Sequence, residues 1–183
     1  MTTDLSQYNN SWYSPGASKL KILIWYFVNL LFVKNDYQPV SSLKIFVLRL
    51  FESNIGKGVT IKPGVNIKYP WRLVVGDYCW IGEDVWIDNL ADIRLGNNVC
   101  LSQGAMLLCG NHNYKKSTFD LQIGEIVLED GVWIGAKAIV CGSIIVKSHA
   151  ILSVGSVASK SLEPYGIYRG NPAVKVRERV IEG

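Results

Sequence analysis

Apolar positions recur at a period of six along most of this chain. The clearest run starts at Leu128 and continues through Ile134, Val140, Val146, Leu152 and Ala158. Four positions after the first five of these stand Val132, Ala138, Ile144, Ala150 and Ser156, mostly small or branched. Upstream, the pattern begins at Ile55, Ile61 and Ile67, with Val59 and Val65 as partners. It resumes at Val75, Ile81 and Ile87, partnered by Cys79, Val85 and Ala91, and again at Leu95 and Leu101, partnered by Val99 and Ala105. An α-helical period drifts out of step with a strict six. A fixed hexapeptide period signals a parallel β-helix. Each hexapeptide then supplies one short strand and a turn, and three make a triangular coil whose inward residues stack on those of the next. No coil buries its apolar face alone, so the stack shares one quasi-linear core. Gly56, Gly76, Gly82, Gly96 and Gly135 each follow an inward aliphatic residue, at corners where positive φ is expected. The register slips by two residues between Ile67 and Val75, and again between Ile93 and Leu95, which reads as small corner insertions.

Departures from the repeat set the organisation: an N-terminal arm and apolar segment over 1–53, the repeat over 54–163 with a loop at 108–127, and a tail over 164–183. Residues 1–17 form a polar, aromatic-rich arm expected to order only on contact with something else. From Leu20 to Val33 the chain is densely apolar; after Lys34, Asn35 and Asp36, a second apolar segment runs from Leu43 to Phe51. Each is shorter than the roughly 20 apolar residues of a bilayer span. Two readings stand. The segments cap the first coil, whose open end resembles a sheet edge. Alternatively, residues 18–53 make a peripheral membrane contact, with Lys19, Lys21, Lys34 and Lys44 beside an apolar face. The loop at 108–127 is a non-repeating insertion that projects from the stack, and long loops in compact domains are usually functional.

At 183 residues the chain fits one domain, and 49% apolar content with six tryptophans is ample for a core. The net charge of +4 is scattered, with no Lys/Arg stripe, which argues against a nucleic-acid partner. Four cysteines without CxxC spacing, and an N-terminus without the apolar core of a signal peptide, point to a reducing cytoplasm. If residues 18–53 touch lipid, the place is the inner face of the membrane. Trp80, Trp86 and Trp133 recur at the outward sixth position of their repeats, where large aromatics serve a subunit interface or lie locally under the N-terminal segment.

Only two histidines exist. His149 lies inside a regular repeat and is expected to point to solvent. His112 stands where the repeat breaks, between Asn111 and Asn113, and imidazole is the side chain best suited to proton transfer near neutral pH. An unremarkable loop histidine is the competing reading. Two histidines and these cysteines do not approach a zinc-ligand set, so no metal is expected. Cys109, three residues before His112, is either a nucleophile or, with no cue for a depressed pKa, a structural thiol.

Particular stretches carry a resemblance. Ile61-Lys62-Pro63-Gly64-Val65, Tyr69-Pro70-Trp71, Trp86-Ile87-Asp88-Asn89-Leu90-Ala91, Ser102-Gln103-Gly104-Ala105, Gly110-Asn111-His112-Asn113-Tyr114, Asp130 to Ala136 and the terminal Gly170-Asn171-Pro172-Ala173 resemble the hexapeptide acyltransferases, and within them the colanic-acid-biosynthesis acetyltransferases. The resemblance implies an all-β solenoid, a left-handed parallel β-helix, assembled as a homotrimer with active sites in the grooves between subunits. It implies acetyl-CoA as co-substrate and O-acetylation of a sugar hydroxyl in exopolysaccharide or cell-surface glycan biosynthesis, with a glycan or small-molecule acceptor. His112 matches the catalytic histidine. Ala136, Val154, Ser159, Lys160 and Arg177 match positions lining the CoA site in galactoside and maltose acetyltransferases, although those relatives carry a basic residue where this chain has Val174. Asp88 and Asn89, which interrupt a repeat at a comparable height, are the acceptor-site candidates together with Asn111. Two rivals remain: an acetyltransferase acting on a drug hydroxyl, and a non-catalytic solenoid serving assembly or membrane recruitment.

Overall fold

A computed structural model describes residues 2–182. The hexapeptides form three parallel sheets that wind as a β-solenoid. Face A stacks Asn54–Ile55, Leu73–Val75, Ile93–Leu95, Ile126–Leu128 and Ile144–Val146. Face B stacks Thr60–Ile61, Trp80–Ile81, Cys100–Leu101, Trp133–Ile134 and Ile151–Leu152. Face C stacks Asn66–Ile67, Trp86–Asp88, Met106–Leu108, Ile139–Cys141 and Val157–Ala158. Inward residues align from coil to coil: Ile55 on Val75, Val75 on Leu95, Leu95 on Leu128, Leu128 on Val146. Every aliphatic position of the six-residue pattern is buried.

The glycines that follow the inward residues are required for a different reason from the one expected. None of Gly56, Gly76, Gly82, Gly96 and Gly135 has a positive φ. They stand where the coils approach most closely: a Cβ on Gly76 would lie 2.6 Å from the Gly96 carbonyl oxygen, and one on Gly56 2.7 Å from the Gly76 carbonyl carbon. The left-handed corner positions fall elsewhere, on Gly58, Gly64 and Gly131 but also on Tyr78, Asp84, Asn98, Lys137 and His149. His149 is not directed freely into solvent. It is half-buried, its ring stacked on Tyr165 at 4.9 Å, and it fills space beside Gly131 that a Cβ there would occupy.

The second register slip also falls one step earlier than expected. Ile93 and Leu95 are two buried residues of one strand, as are Leu73 and Val75. The extra residues precede the face A strand, at the corner between faces C and A. The last complete coil turns this corner with 142–143, two earlier coils use 68–72 and 89–92, and the long insertion between Leu108 and Ile126 occupies the same corner.

Residues 2–53 close the open end of the stack and line that corner. Helix α1 (Lys19–Val28) continues into a π-helical turn (Asn29–Val33), and α2 (Ser41–Leu50) follows. An exposed first coil would present unpaired backbone groups. Here Ser41 Oγ accepts from Ile61 N–H, Lys44 Nζ donates to the Lys62 and Val33 carbonyls, Trp25 Nε1 donates to the Ile67 carbonyl, and Arg49 donates to the Ile55 carbonyl. Lys44 is fully buried, and burial pushes its pKa down, partly offset by Asp36. At the other end, Gly166–Arg169 extends face B and Val174–Glu178 pairs with it antiparallel, joined by the Gly170–Ala173 turn.

Candidate active site

The insertion at the C–A corner folds into a hairpin, Gly110–His112 against Leu121–Ile123. Its tip is held by Lys116 and Thr118, which both donate to Asp120 and draw its carboxyl below the usual carboxylate range. The tight tip places Phe119 at φ 52°, an uncommon conformation for a bulky residue. Two contacts follow from it. The Phe119 carbonyl lies 2.9 Å from His112 Nδ1, and the Phe119 ring stacks on the imidazole at 4.5 Å with a 9° tilt. A carbonyl oxygen only accepts, so Nδ1 carries the proton of the neutral ring and Nε2 keeps its lone pair. His112 is thus half-buried and fixed in orientation, with its basic nitrogen available. Asn111 turns its side chain back to accept from His112 N–H.

The N-terminal arm reaches the same place. It is ordered against its own corner rather than waiting for an external partner. Arg72 and Trp71 donate to the carbonyls of Ser14 and Pro15, the Tyr13 hydroxyl donates to the Leu90 carbonyl, and Asp4 N–H donates to Ser117 in the hairpin tip. Burial pushes the Tyr13 phenol up. The Tyr8 ring lies 5.8 Å from the His112 ring. Tyr8, Tyr13 and Phe119 carry no periodic signal, and only the aromatic content of the arm marked it.

Asp88 and Asn89 occupy the corner one coil below, in different settings. Asp88 is half-buried and pairs with Lys68 at 2.8 Å. It also lines a cavity of about 330 Å³ between α1 and face C. Asn89 is fully buried; its amide oxygen accepts from Tyr69 N–H and its amide nitrogen donates to the Tyr69 carbonyl. It staples two coils together and is closed to an acceptor, contrary to expectation. Cys109 is also buried, donates to the Ala91 carbonyl, and burial pushes its pKa up to about 11. That is the reverse of an activated thiol. Among the described residues, no group of three or more His, Cys, Asp or Glu could hold a metal ion.

Ala136, Val154 and Arg177 converge in a shallow hollow of about 450 Å³ on face B, floored by Trp133 and Gly135. A Cβ on Gly135 would lie 2.6 Å from Val154 N, so the floor stays flat there. Arg169 stands beside it with Arg177 in an adjoining recess. Ser159 and Lys160 do not line this hollow; they are exposed beyond the last face C strand. The hollow belongs to face B and its corner with C, whereas His112 rises from the corner between C and A.

No family model matches the chain. A curated relative from Escherichia coli (strain K12), assigned as the colanic acid biosynthesis acetyltransferase WcaF, is 34% identical over 165 residues, 90% of this chain and 91% of that protein. A hexapeptide-repeat acetyltransferase of Vibrio cholerae O1 biovar eltor, solved with acetyl coenzyme A, superposes with a TM-score of 0.79 at 18% identity, covering 91% of this chain and 92% of that one. A galactoside acetyltransferase solved with coenzyme A gives a TM-score of 0.76 at 18% identity, over 87% of this chain and 80% of the other. The two structures share the solenoid. The sequence match runs through coils, hairpin and N-terminal segment alike, and by it this chain belongs to the colanic-acid-biosynthesis acetyltransferase family of hexapeptide-repeat proteins.

Proposed function

We propose that this protein moves an acetyl group from acetyl-CoA to a sugar hydroxyl during assembly of an exopolysaccharide or cell-surface glycan, with His112 as general base. The observation that carries the reading is the fixed tautomer of His112, with Nδ1–H bonded to the Phe119 carbonyl and Nε2 unencumbered. A sugar hydroxyl is a poor nucleophile at neutral pH, and Nε2 takes its proton as attack proceeds. A positioned base of this kind contributes about 10²–10⁴-fold. The Phe119 carbonyl then stabilises the imidazolium until Nε2 returns the proton to the departing thiolate.

Acetyl-CoA supplies the activated acetyl group. The face B hollow suits such a ligand: Trp133, Ala136 and Val154 give an apolar floor for its arm, and Arg177 and Arg169 offer charge for its phosphates. Lys160, exposed beyond the last face C strand, offers a further positive charge for the phosphates, and Ser159 beside it a hydroxyl. Asp88 and Asn111 are the acceptor-side polar groups that remain accessible. Within one chain the hollow and His112 lie on different sides of the prism, so a complete site needs the corner of one protomer beside face B of another. A C₃ homotrimer closes that head-to-tail contact without a free end. Four free thiols fit the reducing cytoplasm as its location.

The test is release of free coenzyme A in the presence of glycoside acceptors. His112→Ala should lower turnover by at least about 10²-fold, with the trimer intact by light scattering. A fully active monomer would defeat the shared-site reading. A preference for chloramphenicol over every glycoside would turn the assignment to drug acetylation.

A further inference from the structure

The cap has two sides. Its inner side supplies the side chains that close the first coil. Its outer side is apolar and exposed among the described residues. Along α1 and the π-helical turn, Leu20, Leu23, Ile24, Phe27, Leu30 and Leu31 form one stripe, and Leu20, Leu23, Phe27 and Leu31 are each more than half exposed. The spacing keeps them on one side of the helix, while Trp25, Asn29 and Val33 face the protein. On α2, Val47 and Leu48 are buried against the first coil, and Phe46 and Leu50 are 64% and 69% exposed. Apolar patches of this extent are uncommon on the free surface of a soluble protein.

We infer that the outer face of this cap docks on the interfacial layer of an anionic phospholipid bilayer. Charge selects this occupant. At the surface of residues 18–53, Lys19, Lys34 and Arg49 stand exposed against Asp36 and Glu52, and Glu52 is paired with Lys21 at 2.8 Å; Lys44 is buried and lends this face no charge. Lys19 and Lys34 stand exposed at the two ends of the stripe, with Tyr26 and Tyr37 exposed nearby. An apolar stripe bordered by lysines and tyrosines matches the depth profile of a lipid headgroup layer. A second copy fits less well. Antiparallel pairing of the stripe with itself would set Lys19 of each copy against Lys34 of the other. Protomers packed side by side meet along their faces, whereas α2 covers the end of the stack. Among the described residues, no helix is long and apolar enough to cross a membrane, so the contact is peripheral.

The experiment is co-sedimentation of the full chain with vesicles of mixed phosphatidylglycerol and phosphatidylethanolamine, beside vesicles of phosphatidylcholine. The wild type should sediment with the anionic vesicles, and added salt should weaken the binding. Leu23→Glu/Phe27→Glu/Leu31→Glu should lower the bound fraction at least about tenfold, with circular dichroism, light scattering and coenzyme A release unchanged. Should that variant misfold, Lys19→Gln/Lys34→Gln tests the same face: it should lose the preference for anionic over phosphatidylcholine vesicles. Wild-type protein that stays in the supernatant with both vesicle types overturns the inference. So does a triple variant whose oligomer dissociates while its vesicle binding persists, because the stripe is then a contact between copies. Coenzyme A release is read in solution without vesicles, so it reports on acetyl transfer independently of membrane binding.

Discussion

Phe119→Ala separates positioning of the histidine from its chemistry. Phe119 holds His112 twice, by its carbonyl at 2.9 Å from Nδ1 and by its ring stacked at 4.5 Å. Alanine removes the ring and keeps the carbonyl. A stacked aromatic pair contributes about 0.5–1.5 kcal/mol. At about 1.36 kcal/mol per factor of ten, the oriented imidazole population falls roughly twofold to tenfold. Turnover should fall by that factor, well short of the 10² or more expected for His112→Ala. Alanine keeps a Cβ, so the backbone cost of φ 52° persists and the hairpin tip stays tight. Phe119→Gly relieves that cost, lets the carbonyl wander, and should lower turnover further. Neither change touches the solenoid core, so both variants should stay folded at the assay temperature, read by circular dichroism. The assay is steady-state coenzyme A release with saturating acetyl-CoA and a range of acceptor. If Phe119→Ala retains full turnover, the stack does no positioning. If its loss equals that of His112→Ala, the ring acts in some other way, as a wall of the acceptor site would.

Cys109→Ala should retain most activity, and no acetylated Cys109 should be trapped with acetyl-CoA alone. A thiol with a pKa near 11 is roughly 10⁻⁴ thiolate at pH 7, against about 3% for an ordinary cysteine. Gly76→Ala should destabilise the fold by about 1–3 kcal/mol or more in urea titration, because its Cβ meets the Gly96 backbone at 2.6 Å; an unchanged midpoint would contradict the close-approach reading. Lys44→Met should flatten the alkaline limb of stability. Its folded pKa is depressed, so the unfolded chain binds more protons between that value and the ordinary lysine pKa. The wild type should therefore gain stability relative to Lys44→Met as pH rises through that window.

The core was legible because a solenoid is periodic in one dimension. Stacked residues repeat in the chain at the interval at which they repeat in space, so Ile55, Val75 and Leu95 declare their column directly. The glycines were found but misread. Their interval marked a corner, yet a period does not distinguish a left-handed turn from two backbones in close approach. Asn89 failed for a related reason. Its neighbour Asp88 pairs with a side chain at the surface, and only the inward turn of the next residue decides that Asn89 spends its amide on Tyr69. His112 was legible by position alone, as the histidine at the long break. Its orientation was not, because Phe119 acts through a backbone carbonyl that no side-chain pattern encodes. The arm has no period, so its course from Pro15 past Leu90 to Ser117 required the fold itself.

One signal in the chain had more to say. The interruptions after Ile67, Ile87 and Leu107 are separated by 20 residues each, one full coil, and so they stack at a single corner. A solenoid tolerates insertions wherever the corner points outward, but insertions scattered over different corners would build no common surface. Concentrated at one, they place Trp71 and Arg72, then Asp88 and Leu90, then the His112 hairpin in a column that the arm can follow. The opposite arrangement holds on face B, where closely spaced coils leave a flat floor at Gly135. A corner that projects and a face that stays flat lie on different sides of one chain, so under the proposed assembly they would meet between copies rather than within one. That division of labour, with His112 on one side and an apolar, arginine-edged hollow on another, is the geometric support for the trimer proposed above.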